Sequence, residues 1–597
     1  MTRIGTSAVF VTVVLSLTVA AGPAGAQTTN KVQPQITNEQ IKELIRSASE
    51  RMASSDKSGQ PPAVPAAGQT RPTVRLSLED AVKLALDRNL DIAVQRLNPQ
   101  INDIAIASAL SVYRPTATST LNAQSTSTPA NNTLAGSNTP GSPVENSLST
   151  FNGGIAQSLP WLGSSLAVTL NNNRQATSSL NTLYNPTYNT NWSAVYTQPL
   201  LRNLRIDSSR RTIQVSKLNR DISDVQLRAT ITNTLSNVRN AYWDYVFSVQ
   251  AVEVAQQSVN LAEQLVKDNQ TRVEVGTMAP IDVVQAQSQA ATARQNLAVA
   301  QQTMLTAELA LKRLIVSGTQ DANWNVRLDP TDRPDFSPVA IDVEAAVRRA
   351  LSERTDLEIA KKNVEVNDST LKFLRDQLKP QADLVTTYGV VGLGGSQLIT
   401  TGGTGVNRVV TGSVPGGYGD ALSTMFGHGC PTSTAIATCF PRWTVQLNFS
   451  YPLGLSAQEA SVARARVQLN QVEAQTRQIE LQIATDVTNA SVIAQTNIER
   501  VQAAQAAREL AQKQLEAEQS KFEVGMSTNY NVIQSQRDLV TAQNNELQAV
   551  LNYRKALVEL ERLQQTTLQN LGVTVINTGA AGGGGATTTA TRSTTGG

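Results

Sequence analysis

The sequence predicts an α+β membrane protein built from a duplicated unit. Three observations carry that prediction. Two blocks of sequence recur at constant separations, several segments alternate with the two-residue period of a strand, and two long stretches run without a helix breaker.

The duplication comes first because it fixes the architecture. Leu78-Glu79-Asp80-Ala81-Val82-Lys83-Leu84-Ala85-Leu86 matches Val343-Glu344-Ala345-Ala346-Val347-Arg348-Arg349-Ala350-Leu351, with Glu79 on Glu344, Asn102 on Asn367 and Pro115 on Pro380, a separation of 265 residues throughout. Arg272-Val273-Glu274-Val275-Gly276 matches Lys521-Phe522-Glu523-Val524-Gly525, and Val283-Val284-Gln285 matches Val532-Ile533-Gln534, at a separation of 249. Two copies are too few for a solenoid and fit a doubled unit. Each half opens with an amphipathic helix, about Leu78–Tyr113 and Val343–Leu378, that a proline ends. Strand-like sequence with polar loops follows. A long helical region then runs over about Ile206–Leu314 and Gln458–Leu568, broken once at Gly276 or Gly525.

Trp443 to Tyr451 alternates without a fault. Trp443, Val445, Leu447, Phe449 and Tyr451 share one face, and Thr444, Gln446, Asn448 and Ser450 the other. Nine such residues approach the length of a membrane strand, and aromatics at both ends suit the interfacial belts. Trp192, Ala194 and Tyr196 alternate in the same way with Ser193, Val195 and Thr197 before Gln198-Pro199-Leu200. Weaker strands are expected at Ala117–Gln124 and Gln381–Val390, and a hairpin at Gly153–Asn171 interrupted by Pro160 and Gly163. Four strong strands cannot close a barrel, since small barrels need about eight, so several chains must contribute. The polar stretches Ser125–Ser149, Ser178–Asn189 and Gly392–Phe440 read as exposed loops. The last holds His428, read as a solvated residue, and Cys430 and Cys439, expected to form a local disulfide in an exported protein.

The helices are read as walls. Ile206 to Val275 contains neither glycine nor proline, and at about 1.5 Å per residue such a stretch spans roughly 100 Å. Val252, Ala255, Val259, Ala262 and Val266 recur at spacings of three and four, a coiled-coil seam of small residues. Glycine at 276 and 525 suits a tight helix-to-helix reversal, and Pro280 suits the first turn of the returning helix. Each half therefore offers an antiparallel helical hairpin with a bare tip.

Composition excludes several functions. Among 597 residues, 50 basic and 47 acidic side chains nearly cancel, which argues against nucleic acid, and aromatics at 4% leave no thick globular core. One histidine and two cysteines cannot build a metal or thiol centre, and no nucleophile–base constellation is recognisable, so no catalysis and no cofactor are expected. Arg3, the apolar stretch Ala8–Ala20 and Ala24-Gly25-Ala26 read as a signal peptide over residues 1–26, with a mature start at Gln27 that offers no lipid-anchoring cysteine. No later run of about 18 apolar residues occurs, so a membrane span must be a closed barrel. Residues 27–72 read as an extension with one short helix, Asn38–Met52, and a Pro/Ala/Gly linker. The repeats occupy 73–325 and 326–572, and the Gly/Thr-rich tail, residues 573–597, is expected to be disordered.

Taken together, the paired Leu-Glu-Asp-Ala-Val-type openings, the prolines ending both first helices, the Gln198-Pro199-Leu200 strand exit and the paired Val-Gly tips resemble the TolC-like outer-membrane efflux family over about Leu76–Leu571. The resemblance implies a homotrimer whose twelve-stranded β-barrel, four strands per chain in the outer membrane, continues as a long antiparallel α-helical coiled-coil barrel in the periplasm. It implies the passive exit channel of a tripartite efflux or type I secretion system, meeting a periplasmic adaptor (a membrane fusion protein) and through it an inner-membrane pump. Carried over by motif, the adaptor contacts are Arg272, Val275, Gly276 and Thr277 with Lys521, Val524, Gly525 and Met526. The family's acidic aperture residues fall here on Asn531 and Gln534, which are amides, so the constriction is read as amide-lined with Asp282 of the first tip nearby. A trimeric coiled-coil surface adhesin or stalk protein is the alternative; it would need no hairpin tips.

Overall fold

In the computed structural model of the chain, residue 46 and residues 72–573 are described, apart from 130–141, 180, 334–335, 403–407, 427–439, 452 and 454–455. The expected signal peptide, most of the extension, the tail, His428, Cys430 and Cys439 lie outside the described residues. The chain divides into two compact units, Met1–Ser58 with Thr578–Ala586, and Gly59–Asn577 with Thr587–Gly597. Of the first, only residue 46 is described, within a helix; everything below concerns the second.

The first repeat opens with β1 (Thr73–Leu76), α1 (Leu78–Arg88), α2 (Leu90–Gln95) and α3 (Leu97–Leu110). Its strands are β2 (Thr116–Thr128), β3 (Val144–Ser158), β4 (Ser165–Thr177) and β5 (Tyr184–Pro199), followed by α4 (Ser208–Glu274), α5 (Pro280–Ile315) and β6 (Arg327–Pro330). The second repeat runs α6 (Val343–Glu353), α7 (Thr355–Gln377), β7 (Gln381–Thr401), β8 (Val409–Val414), α8 (Tyr418–Phe426), β9 (Phe440–Ser450), α9 (Ala457–Glu523), α10 (Asn529–Leu563) and the short α11 (Thr567–Asn570).

The duplication is visible to the residue. α1 and α6 share both boundaries at the offset of 265, and α4 and α9, each 67 residues, share both at 249. The single first helix expected in each half is instead broken, at Asn89 and at Arg354, which sit at the same offset. Both take extended backbone, ψ 126° and 128°. Asn89 uses its side chain to restart the chain: its Oδ1 accepts from the amides of Asp91 and Ile92, at 2.9 and 3.2 Å, while its Nδ2 donates to the Leu314 carbonyl. The final helical region also ends early, at Leu563 rather than Leu568, because Gln565 takes a positive φ of 58°.

One antiparallel sheet holds strands β2 to β5 and β7 to β9. It has six columns, in the order β2, β3, β4, β5, β7 and a last column shared by β9 and β8. β9 pairs with Gln381–Val391 of β7, and β8 with Gln397–Thr401 on the same side. The expectation of four strands per chain is therefore corrected. The interrupted hairpin of the first repeat is a full pair of columns, β3 and β4, turning over Pro160 and Gly163. The three segments read as exposed loops are corrected in part: Tyr184–Asn189 belongs to β5, the ends of 125–149 to β2 and β3, and 392–440 yields the end of β7, β8 and α8. Asn and Thr line these ladders, and their polarity concealed them.

The sheet has two chemically distinct faces. Register places Phe151, Ile155, Leu166, Val168, Trp192, Tyr388, Trp443, Val445, Leu447 and Phe449 on one, and Asn152, Thr169, Asn171, Asn191, Thr387 and Gln446 on the other. Trp192, Tyr388 and Trp443 lie side by side across three strands, the first two edge-to-face at 5.9 Å. Along the strand Trp443 and Tyr451 stand roughly 26 Å apart, about 20 Å of height at the usual barrel tilt, which approaches the apolar band of an outer-membrane barrel. Beyond that row, α8 packs on the apolar face. It lies so close to β7 that a Cβ on Gly392 would meet the Ala421 carbonyl oxygen at 2.0 Å, and Thr190 donates to the same oxygen at 3.2 Å.

Below the sheet, β1 and β6 pair in parallel and staple the first repeat around a core that includes Ile92, Leu235, Tyr242, Tyr245, Leu311 and Ile315. Lys312 is buried there, ion-paired to Glu308 at 2.8 Å and donating to the Val326 carbonyl, while Glu308 accepts from the Leu328 amide. Among the described residues no helix is long and apolar enough to cross a membrane.

Candidate functional site

The two helical hairpins meet at their tips, and the sequence explains why each reverses there. α4 ends at Glu274 with Val275 as its cap, and Gly276 then takes φ +79°; α9 ends at Glu523, and Gly525 takes φ +80°. Only a residue without a Cβ enters that region freely. Two backbone bonds close each turn, Thr277 N–H to Arg272 C=O at 2.9 Å with Gly276 N–H to Val273 C=O, and Met526 N–H to Lys521 C=O at 2.8 Å with Gly525 N–H to Phe522 C=O. This is the Schellman pattern, and it satisfies carbonyls that the helix end would leave unpaired. The returning helices start on Pro280 and on a Thr528 cap.

The tips present an unusual surface. Val275, Val524 and Met526 are about 70% or more exposed, at 68%, 70% and 79%, and a Cβ built at Gly276 or Gly525 meets nothing within 4 Å. Thr277 and Lys521 are exposed as well. Lys521 binds Glu518, as does Ser527, both at 2.7 Å, and these side-chain hydrogen bonds, led by that of Lys521, hold the Glu518 carboxyl below its usual range.

Arg272 behaves differently from the other tip residues. Its guanidinium lies over the Phe522 ring, 4.4 Å from the centroid, and donates to the Phe522 carbonyl at 3.1 Å. It thus joins the first tip to the second. Behind this contact lies a second latch. Buried Asn529 donates to the Asp282 carbonyl at 3.2 Å and accepts from buried Asn269 at 2.8 Å. Deeper still, Arg537 clasps Gln289 through two donors, at 2.8 and 2.6 Å. Leu265, Ala286, Leu515, Phe522, Val532, Ile533 and Leu539 form the apolar core between these polar links.

Of the three aperture candidates, Asp282 is half-buried, while Asn531 and Gln534 are exposed and bond along their own chain, to Ser527 at 3.3 Å and to Asp538 at 2.9 Å. The structure sets Asp282 beside Asn529 rather than in a hydrogen-bonded set with them. Asp538 puts an exposed acid one helical turn past Gln534 that sequence reading passed over. Phe522, Asn269, Asn529, Gln289 and Arg537 were also missed. The 249-residue offset held a clue, since it sets Asn529 against Pro280 and Phe522 against Val273, unlike pairs inside otherwise matched tips.

The sequence model of the family described as "Outer membrane efflux protein" matches residues 152–316 and 346–564, more than half of the chain. The chain belongs to the outer membrane efflux protein family. Both matched blocks span a helical hairpin and its tip. Solved structures with a similar fold include the outer-membrane channel OprN, 13% identical over 82% of this chain and 89% of that one with a TM-score of 0.57. The CmeC outer membrane channel of Campylobacter jejuni is 14% identical over 82% and 85% with a TM-score of 0.55, and CusC is 13% identical over 85% and 98% with a TM-score of 0.57. No curated protein matches the chain. As an outer membrane efflux protein the chain is an efflux-type channel of the outer membrane and not an enzyme.

Proposed function

We propose that three copies of this efflux protein close their open sheets into one barrel and continue it inward as a helical tunnel across the periplasm. The assembly would be the passive exit duct of a tripartite efflux or type I secretion system. Energy would come from an inner-membrane pump, reached through a periplasmic adaptor that docks on the tips. The observation that carries this reading is the sheet. One face is apolar and girdled by Trp192, Tyr388 and Trp443, yet both edge strands, β2 and β9, lack an outer partner among the described residues. An open edge cannot stand in lipid, where unpaired backbone groups cost several kcal/mol each. Further copies would satisfy it.

The helices support the same assembly. Val299, Leu305 and Leu309 on α5, and Leu481, Ile493 and Leu510 on α9, are all more than half exposed. Apolar stripes of that kind ask for a neighbour. Helices of 67 residues reach about 100 Å, enough to cross the periplasm with partners at the far end. In this reading Arg272, Val275, Gly276, Thr277, Lys521, Val524, Gly525 and Met526 meet the adaptor, and the aperture forms around Asp282, Asn531 and Gln534. Residues 1–26 act as the export signal, 73–325 and 326–572 are the working repeats, and 27–72 and 573–597 are accessory.

The test uses the open space at the tips. A Cβ at either glycine meets nothing within 4 Å, so Gly276→Trp and Gly525→Trp fill the open tip, at the cost of strain in a turn that holds positive φ, and should abolish export while trimers persist in the membrane. Gly276→Asn, which tolerates positive φ, should retain export. Export surviving both tryptophans would refute docking at the tips. Cysteine at position 277 should resist impermeant reagents in intact cells; rapid labelling there would favour a surface stalk.

A further inference from the structure

We infer that the outlet of this channel is a ring of eighteen strands, about 1.5 times as wide as a twelve-stranded one, with a polar wall that carries few charges and suits bulky hydrated cargo. The inference rests on the three-chain assembly proposed above and adds the count and bore of its barrel.

The decisive element is the β3–β4 hairpin. It is inserted between β2 and β5 and pairs along nearly its whole length with both, from Thr116↔Ala156 to Thr128↔Val144 on one side and from Ser165↔Thr197 to Gln175↔Thr187 on the other. A loop lying outside the wall would leave β2 and β5 paired with each other. Here two columns stand between them.

The hairpin is also patterned as a membrane wall. Phe151, Ile155, Leu166 and Val168 fall on the face that carries Trp192 and Tyr388. Phe151 and Ile155 are 55% and 56% exposed. Side chains of this type gain by facing lipid, at roughly 25 cal/mol per Å² removed from water. Their alternates, Asn152, Thr169 and Asn171, continue the polar face.

Closure follows from direction. Every neighbouring pair in the sheet is antiparallel, so with six columns the first and last run in opposite senses. β9 of one copy can therefore pair with β2 of the next, and three copies give an even, fully antiparallel ring. With strands about 4.8 Å apart and tilted about 40°, eighteen strands enclose a backbone diameter of about 36 Å, against about 24 Å for twelve. Barrels of this size leave an aqueous channel, whereas small ones fill with side chains.

The inward wall selects little. Hydroxyls and amides dominate it, with Asn171 opposite Asn191 and Asn173 bonded to Asn189 at 3.0 Å. On the inward positions of the described strands the charged residues are Asp383, near one end of the wall, and Arg442, opposite Gly389 in the middle of β7. Such an outlet neither repels nor concentrates ions strongly, so discrimination is left to the helical tips, and solutes up to about 25 Å across, such as hydrated polymers, can leave.

Electron microscopy of the full-length protein in lipid nanodiscs tests this. The expected image is a three-chain ring of eighteen strands. Deletion of residues 142–179, which lets β2 and β5 pair directly, should shrink the ring diameter to about two-thirds with three chains retained. In planar bilayers, neutral polymers about 25 Å across, added on the outer side, should enter the wild-type outlet and lower its conductance. A three-chain ring of twelve strands, with the hairpin outside the wall, would overturn this inference and leave the channel assembly standing. A polymer cut-off near 15 Å would overturn it equally, even if the deletion variant failed to fold. Particles without a three-chain ring would refute the assembly itself.

Discussion

Replacing Arg272 with alanine should raise the open probability of the inner aperture about five- to thirtyfold. The magnitude comes from two contacts that bind one hairpin to the other. The guanidinium stacks on Phe522 at 4.4 Å, a cation–π contact worth about 0.5–1 kcal/mol at a partly exposed site. It also donates to the Phe522 carbonyl at 3.1 Å. A charged hydrogen bond is worth about 1.5–3 kcal/mol when buried, and roughly a third of that where water competes, as it does around this half-buried side chain. Together they favour the joined tips by about 1–2 kcal/mol, and each 1.4 kcal/mol is about tenfold in population. The Asn269–Asn529 and Gln289–Arg537 links and the apolar core persist, so the tips loosen rather than unfold. The purified protein in planar lipid bilayers at fixed salt reports the fraction of time spent open. Arg272→Lys retains the charge without the planar fork and should fall between wild type and alanine. An alanine variant within twofold of wild type would refute a gating role for this contact, because a link that differs between two states must shift their balance when removed.

Three other perturbations probe the frame that holds the tips in place. Lys312→Met leaves Glu308 charged and buried, and should cost about 3–5 kcal/mol in the urea midpoint of the detergent-solubilised protein; adding Glu308→Gln, whose amide oxygen can still accept from Leu328, should return the larger part. Asp321 caps the turn after α5 and binds Arg88. Burial works against its charge, but the amides of Asn323 and Ser317, together with Arg88, outweigh it and hold its carboxyl below the usual 3.8. A carboxyl lowered by folding adds stability that is complete above that value and fades as pH falls through the folded one. Asp321→Asn should therefore flatten the acid limb of thermal stability below about pH 4 and lower the neutral plateau. Gly392→Val places a Cβ where Ala421 O lies 2.0 Å away, so α8 should leave the sheet and become sensitive to external protease while the protein stays in the membrane fraction.

The helical half of the molecule was legible because its signals are local. A glycine that must take positive φ, a proline at the start of the next helix and sixty-odd residues without either are each sufficient cues, and the structure repeats at the same 249- and 265-residue offsets, although the expected ends Ile206 and Leu568 miss the observed Ser208 and Leu563. The breaks at Asn89 and Arg354 were missed because the hydrophobic period continues across them. What interrupts the first helix is a capping amide, and only its partners, Ile92 and Leu314, disclose its role. The latch at the tips was hidden for a related reason. Arg272 and Phe522 stand 250 positions apart, so no window of sequence holds both.

The strand count failed on a different physical point. A soluble strand betrays itself by burying one face, but a barrel strand turns one face to lipid and one to water, and its chemistry is set by the medium rather than by a core. β2 shows this at its limit: Thr116–Thr128 is exposed along its whole length, and Leu121 is its one large apolar residue. Its identity as a strand comes from the ladder it makes with β3, not from its own pattern. The same logic explains why Pro160 and Gly163 read as an interruption. They break the alternation, yet Ser164 N–H and Leu159 N–H close the reversal by bonding to Trp161 O and Ser164 O, and thirteen pairs of β3 with β4 follow in register. A turn and a defect look alike in one dimension. They separate only when the returning strand is seen to pair, and that pairing is what carries the wall from four columns to six.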